Sequence, residues 1–155
     1  MSTHVSEDQK APAFNLPATG GKKISLASLK GKKVVLYFYP RDSTPGCTSE
    51  GQDFRDHYAE FAKANTEVLG ISCDSLASHE KFSDKQGFPF PLLSDEDAAV
   101  SRKYDVIKMK NMYGKQFEGI ERSTFLISED GKLLKVWRKV KVPGHVAEVL
   151  AACKQ

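Results

Sequence analysis

Apolar positions follow two rhythms along this chain. Val34-Val35-Leu36-Tyr37-Phe38 is an unbroken apolar run, rich in β-branched and aromatic residues, as a strand covered on both faces requires. Val68-Leu69-Gly70-Ile71-Ser72 predicts a second buried strand. Between them Phe54, Tyr58, Phe61 and Ala62 recur at spacings of three and four, which predicts one long helix after the turn Pro40 to Thr44. Ser78 to Gln86 reads as another helix, ended by Gly87 and Pro89. Leu92-Leu93 reads as a short strand leading into a helix near Asp97 to Lys103. Phe14 to Leu16 and Lys23 to Leu26 flank Ala18-Thr19-Gly20-Gly21, and Thr124 to Ile127 and Leu133 to Arg138 flank Glu129-Asp130-Gly131-Lys132; both read as hairpins. Val146, Val149, Leu150 and Cys153 mark one face of a terminal helix.

This order of elements predicts an α/β fold, with a central mixed sheet, helices on both faces and an N-terminal hairpin. A thioredoxin-like arrangement is its simplest match. No repeat, low-complexity stretch or Pro/Gly-rich linker divides the chain. Residues 11–155 are therefore expected to form one domain behind a flexible tail, residues 1–10.

Composition narrows the classes. The chain has 155 residues, 40% hydrophobic and 28% charged, ordinary for a globular protein that needs no disulfide staples. A net charge of +3 is small, and the densest basic stretch, Lys135 to Lys141, alternates with Val and Trp as a solvated strand face does. Nucleic acid is therefore not an expected partner. Met1 to Lys10 lacks the apolar segment of a secretory signal, and the longest apolar run is too short to cross a bilayer, so a cytoplasmic location and no membrane partner are expected. Three cysteines, Cys47, Cys73 and Cys153, do not suggest a disulfide framework. No His/Cys cluster has zinc spacing and no Gly-rich phosphate loop occurs, so neither a metal nor a cofactor is expected.

The segment Pro40-Arg41-Asp42-Ser43-Thr44-Pro45-Gly46-Cys47 carries the candidate chemistry. A buried strand stops at Pro40, and a helix begins with Thr44 as N-cap and Pro45 as its first residue, where a missing N–H is harmless. Cys47 then lies in the first helical turn. Free backbone N–H groups and the helix dipole favour an anion there, which is what a nucleophilic thiol needs. Gly46 leaves room beside the sulfur. No Cys-x-x-Cys occurs, which disfavours a dithiol exchanger. His57 is ten residues along the same helix, about 15 Å away at a rise of 1.5 Å per residue, too far to act as base. His79 and His145 have no sequence feature that brings them to Cys47.

Pro40, Thr44 and Cys47 reproduce the signature Pro-x-x-x-Thr-x-x-Cys, and the chain here resembles peroxiredoxins. Tyr37 through Gly51, with Gly119-Ile120-Glu121-Arg122-Ser123-Thr124-Phe125 later, is similar to the bacterioferritin-comigratory (PrxQ) branch. The resemblance runs from about Ala11 to Ala152. It implies a thiol-dependent peroxidase that reduces hydrogen peroxide and organic hydroperoxides in antioxidant defence. Cys47 would be the peroxidatic nucleophile, Thr44 a hydrogen-bonding partner of sulfur and peroxide, and Arg122 the fixed positive charge. Pro40 would shield the sulfur, and Glu50 would orient the arginine. The reading from a different class is a thioredoxin-fold binding or chaperone module without turnover.

Attack on peroxide leaves a sulfenic acid that must meet a thiol. The branch places a resolving cysteine at one of two positions, here Gln52 and, by alignment, Ser83, so both are vacant. A one-cysteine cycle is expected, reduced by thioredoxin, glutaredoxin or a small-molecule thiol, in a monomer. The alternative is Cys73, at the carboxyl end of the neighbouring strand, as an atypical resolving cysteine. Cys153 is expected to pack in the core or lie at a frayed end.

Overall fold

The computed structural model describes residues 5–155, and the part of the expected flexible tail that covers residues 1–4 lies outside the described residues. The first hairpin is β1 (Asn15–Ala18) and β2 (Lys22–Ser25), followed by a single 3-10 turn at Ala27–Leu29. The central run becomes β3 (Lys33–Phe38), and after the turn come α1 (Pro45–Asp56) and α2 (Tyr58–Lys63). Then follow β4 (Thr66–Ser72), α3 (Leu76–Gln86), β5 (Leu92–Ser94) and α4 (Ala99–Lys103). Two hairpins, β6 (Ile107–Met112) with β7 (Lys115–Ile120) and β8 (Ser123–Ile127) with β9 (Leu133–Trp137), lead to α5 (His145–Cys153).

Seven strands form one mixed sheet in the order β2-β1-β5-β4-β3-β8-β9. β3 and β5 run parallel to β4, whereas β8 is antiparallel to β3. Strand alternation sends Val34, Leu36 and Phe38 into one core with Leu69, Ile71, Tyr104 and Phe125. It sends Val35, Tyr37 and Tyr39 into the other with Phe54, Phe61, Phe82 and Val149. Helices α1, α2, α3 and α5 cover the second face, and α4 and the 3-10 turn lie on the first. The expected α/β sheet with helices on both faces is the observed architecture. Among the described residues no helix is long and apolar enough to cross a membrane.

Two sequence expectations need correction, and one element was not foreseen. Residues 5–10 are not a free tail: Val5 is buried, Lys10 bridges to Lys132, and the Asp8 amide donates to Leu133 O at 2.8 Å. The expected long helix breaks at His57, which leaves helical geometry at φ −106°, ψ 6°, with its Nδ1 lying 2.8 Å from Asp53 O. The hairpin β6–β7 went unanticipated. Ile107-Lys108-Met109-Lys110 does alternate apolar and polar positions, but the run is short and most residues of the hairpin are exposed, so it forms no apolar face of the kind that marks a core strand.

Candidate active site

The carboxyl ends of β3, β4 and β5 lie along one edge of the sheet, where α/β folds build sites. Pro40 follows β3 there, and Cys73 and Asp74 follow β4. Helix α1 starts at the same edge, with Pro45 as its first residue. Its buried positions are Cys47, Glu50, Gly51 and Phe54, one face of the helix at spacings of three, one and three. Phe54 stacks on Tyr37 with ring centroids 4.5 Å apart, which holds this face against the sheet. Close approach is enforced at Gly51, where an added Cβ would stand 2.3 Å from the Phe88 ring.

Antiparallel pairing of Phe38 with Ser123 brings the start of β8 to the same edge, and Arg122 immediately precedes that strand. Its backbone carbonyl accepts from the Val140 amide at 3.0 Å. Arg122 Nη2 donates to Cys47 Sγ at 3.3 Å, and Nη1 donates to Glu50 Oε1 at 2.6 Å. The guanidinium thus bridges Cys47 and Glu50 on the buried α1 face. Cys47 is 2% exposed and Glu50 is fully buried. Burial pushes the Glu50 carboxyl up to about 7, with Arg122 pulling against it and Asp53 adding to the rise. Among the described residues Glu50 Oε2 has no hydrogen-bond partner, so the pairing satisfies one oxygen and leaves the other unpaired.

Thr44 stands at the N-cap, as expected, but its side chain does not cap the helix. Its hydroxyl donates to Arg41 O at 2.9 Å, which leaves the oxygen lone pairs as acceptors. Gly46 does leave space, but the Arg122 guanidinium occupies it: an added Cβ would lie 3.1 Å from Nη2. A cleft of about 690 Å³ opens beside these groups, and Pro40, Thr44, Cys73, Ile107, Met112 and Phe117 are among its lining residues. Lys110 of β6 also lines it. Burial, and then Arg122, push its ammonium down, while Cys47 and Glu121 raise it. No motif or spacing singles out Lys110, which belongs to the unanticipated hairpin.

The other candidates are not in this cluster. His57 caps the far end of α1. His145 pairs with Thr124 at 2.8 Å and burial pushes it down to about 4, so it is neutral at pH 7. Asp42, Asp74 and His79 form the group whose spacing suits a metal ion, but their facing oxygens already accept protein donors. Asp42 accepts from Tyr39, Ser78 and His79; burial raises its carboxyl, but those hydrogen bonds outweigh burial and hold it below the usual range. Gln52 Nε2 donates to Gln86 Oε1 at 2.9 Å, and Ser83 is half-buried on α3. Cys73 is half-buried, with its thiol pushed up by burial, and Cys153, the last residue of α5, is fully buried in the core.

Comparison with known proteins gives this geometry a family. Residues 8–136 match the AhpC/TSA family. The chain belongs to that family. It is a peroxiredoxin of the bacterioferritin-comigratory, or PrxQ, branch. A putative peroxiredoxin of Coxiella burnetii is 56% identical over 97% of this chain and 98% of its own length. The Bcp peroxiredoxin of Bacillus subtilis is 49% identical over 94% and 93%. Among solved structures, the Xanthomonas campestris bacterioferritin comigratory protein superposes with a TM-score of 0.87 at 56% identity, over 91% and 90% of the two chains. A Xylella fastidiosa PrxQ structure reaches 0.91 at 42% identity, over 99% and 97%. The thioredoxin-like fold of these peroxiredoxins is the fold of this chain. The Xanthomonas protein has been solved with either of two cysteines replaced by serine, and those two are as far apart in sequence as Cys47 and Ser83 here.

Proposed function

We propose that this thiol-dependent peroxidase works through Cys47 in a one-cysteine cycle, with an outside thiol as reductant. The Cys47 thiolate attacks the distal oxygen of a hydroperoxide. An S–O bond forms as the O–O bond breaks, two electrons pass from sulfur to the peroxide, and the departing alkoxide or hydroxide takes a proton. The enzyme is left as the sulfenic acid. A first thiol then displaces water to give a mixed disulfide, and a second thiol releases Cys47 and carries away the disulfide.

The observation that carries this reading is the contact of Arg122 Nη2 with Cys47 Sγ at 3.3 Å, inside a site 2% exposed at the sulfur. A fixed cation there stabilises the thiolate and then the negative charge that develops on the departing oxygen. Glu50, bound to the other guanidinium nitrogen, orients the arginine. Thr44, whose hydroxyl proton is engaged by Arg41 O, accepts a hydrogen bond from the peroxide O–H. Pro40 closes the rim of the cleft over the sulfur. Ile107, Met112 and Phe117 give that cleft apolar walls, which suits organic hydroperoxides as well as hydrogen peroxide. The alkyl peroxide reduction activity of the Xanthomonas relative supports the organic part of that range.

Thioredoxin, glutaredoxin or a small thiol supplies the electrons, and the enzyme acts in the cytoplasm as a monomer. The vacancies at Gln52 and Ser83 favour an outside thiol over Cys73. The test is peroxide consumption with added dithiol, which Cys47→Ser must abolish. A thioredoxin-fold binding module would consume none, with or without that cysteine.

A further inference from the structure

Cys47 is too buried, at 2% exposure, for a protein thiol to reach its sulfenic acid in the closed state. The first turn of α1 has to open for reduction. Five residues before Cys47, the Asp42 carboxylate is fastened by three side chains. It accepts from Tyr39 Oη at 2.6 Å, from Ser78 Oγ at 2.8 Å and from His79 Nδ1 at 2.7 Å. His79 Nε2 faces Leu93 O at 2.8 Å, so both ring nitrogens meet oxygen partners. The Asp42 amide donates to Asp74 Oδ2 at 2.9 Å. The turn leading into α1 is thereby tied to the start of α3 and to β5. Peroxide chemistry uses none of these groups.

We propose that Asp42 and His79 form a latch that sets how often the Cys47 turn opens, and so divides sulfenic Cys47 between reduction and further oxidation. Asp42 is a positioning residue in this scheme. In the closed state peroxide reaches the sulfur and thiols do not, so a tight latch favours sulfinic acid under excess peroxide. A loose latch favours mixed-disulfide formation. The proposal rests on Cys47 being the oxidised residue, but the latch itself is a property of the fold.

Two variants test it in the full-length reduced protein: Asp42→Ala, and Tyr39→Phe, which keeps the ring and deletes one donor. The reporter is hydrogen exchange of the Thr48 amide, whose bond to Thr44 O at 2.8 Å closes the first turn of α1. Loss of one net hydrogen bond should speed that exchange by about fivefold. Dithiothreitol reduction of the sulfenic form should accelerate in step, with less sulfinic acid at a fixed ratio of peroxide to thiol. Should Asp42→Ala not fold, Tyr39→Phe carries the test alone. Unchanged Thr48 exchange would overturn the latch, as would an equal acceleration at core amides such as Leu36 and Phe125. Hydrogen exchange needs no turnover, so an inactive wild type would refute the reading of Cys47 and leave the latch to be judged by Thr48.

Discussion

A Cβ on Gly46 would stand 3.1 Å from Nη2 of Arg122, the nitrogen that reaches the Cys47 sulfur. Gly46 is helical, so its lack of a side chain is not needed for backbone freedom. Space for the guanidinium is what it supplies. Gly46→Ala should therefore stabilise the helix by about 0.5 kcal/mol or leave stability unchanged, because alanine costs less to order than glycine. It should nevertheless displace the arginine and slow Cys47 oxidation by at least about threefold, a fraction of the effect of a lost oxyanion donor. Stopped-flow oxidation and thermal melts on one preparation check both signs. A slower rate accompanied by a large loss of stability would mean the helix start had been disrupted instead.

Arg122→Ala should lower the rate constant for Cys47 oxidation by roughly 10²–10³, the range for removing a preorganised donor to developing charge. It should also cost stability. Glu50 is fully buried and would lose its partner, and breaking such pairs costs roughly 3–5 kcal/mol unless the carboxyl takes up a proton. Adding Glu50→Gln should recover most of the stability and little of the rate. Recovery of both would show that the arginine acts on Cys47 only through the fold.

Glu50 also predicts a pH dependence of stability. Its folded-state value of about 7 lies above its ordinary 4.5, so the folded protein binds the proton more tightly than the unfolded chain. That stabilisation is complete below about pH 4.5 and is lost as pH rises towards 7. The loss amounts to roughly 3 kcal/mol at 1.36 kcal/mol per pH unit. Urea unfolding of wild type and Glu50→Gln should show the variant gaining relative stability from pH 5 to pH 7.5 and levelling off above. A flat difference across that range would place the Glu50 titration elsewhere.

The chain shows its frame and its candidate nucleophile plainly because both rest on local signals. Val34 to Phe38 declares a buried strand, and Thr44-Pro45 declares a helix start that fixes Cys47 in the first turn. Arg122 is different. It is 75 residues from Cys47, and only the pairing of Phe38 with Ser123 brings it in, so no spacing in the sequence leads to it. Family resemblance was the sole pointer. Neither residues nor resemblance pointed to the Asp42–His79 pair, because its two halves lie 37 positions apart and each reads as an ordinary polar residue. The largely exposed β6–β7 escaped because its one alternating run, Ile107 to Lys110, is short and carries only two apolar residues, and Lys110 escaped with it.

The last prediction concerns what becomes of oxidised Cys47. Gln52 is engaged with Gln86, Ser83 has no thiol, and Cys153, the last residue of α5, is fully buried in the core. Cys73 shares the cleft with Pro40 and Thr44, but burial raises its thiol and so lowers the fraction present as attacking thiolate. Stoichiometric peroxide should therefore leave Cys47 as sulfenic acid, and excess peroxide should drive it to sulfinic acid. Ser83→Cys should change that outcome. A thiol on α3 at the interval found in the Xanthomonas relative would capture the sulfenic acid as an internal disulfide, once the start of α1 opens, and would protect it from sulfinic formation. Peptide mapping of both proteins after one and ten equivalents of peroxide reads each product. A rapid, quantitative Cys47–Cys73 disulfide within one chain of the wild type would overturn the one-cysteine cycle. It would also show that the turn fastened by Asp42 opens readily without help from a reductant.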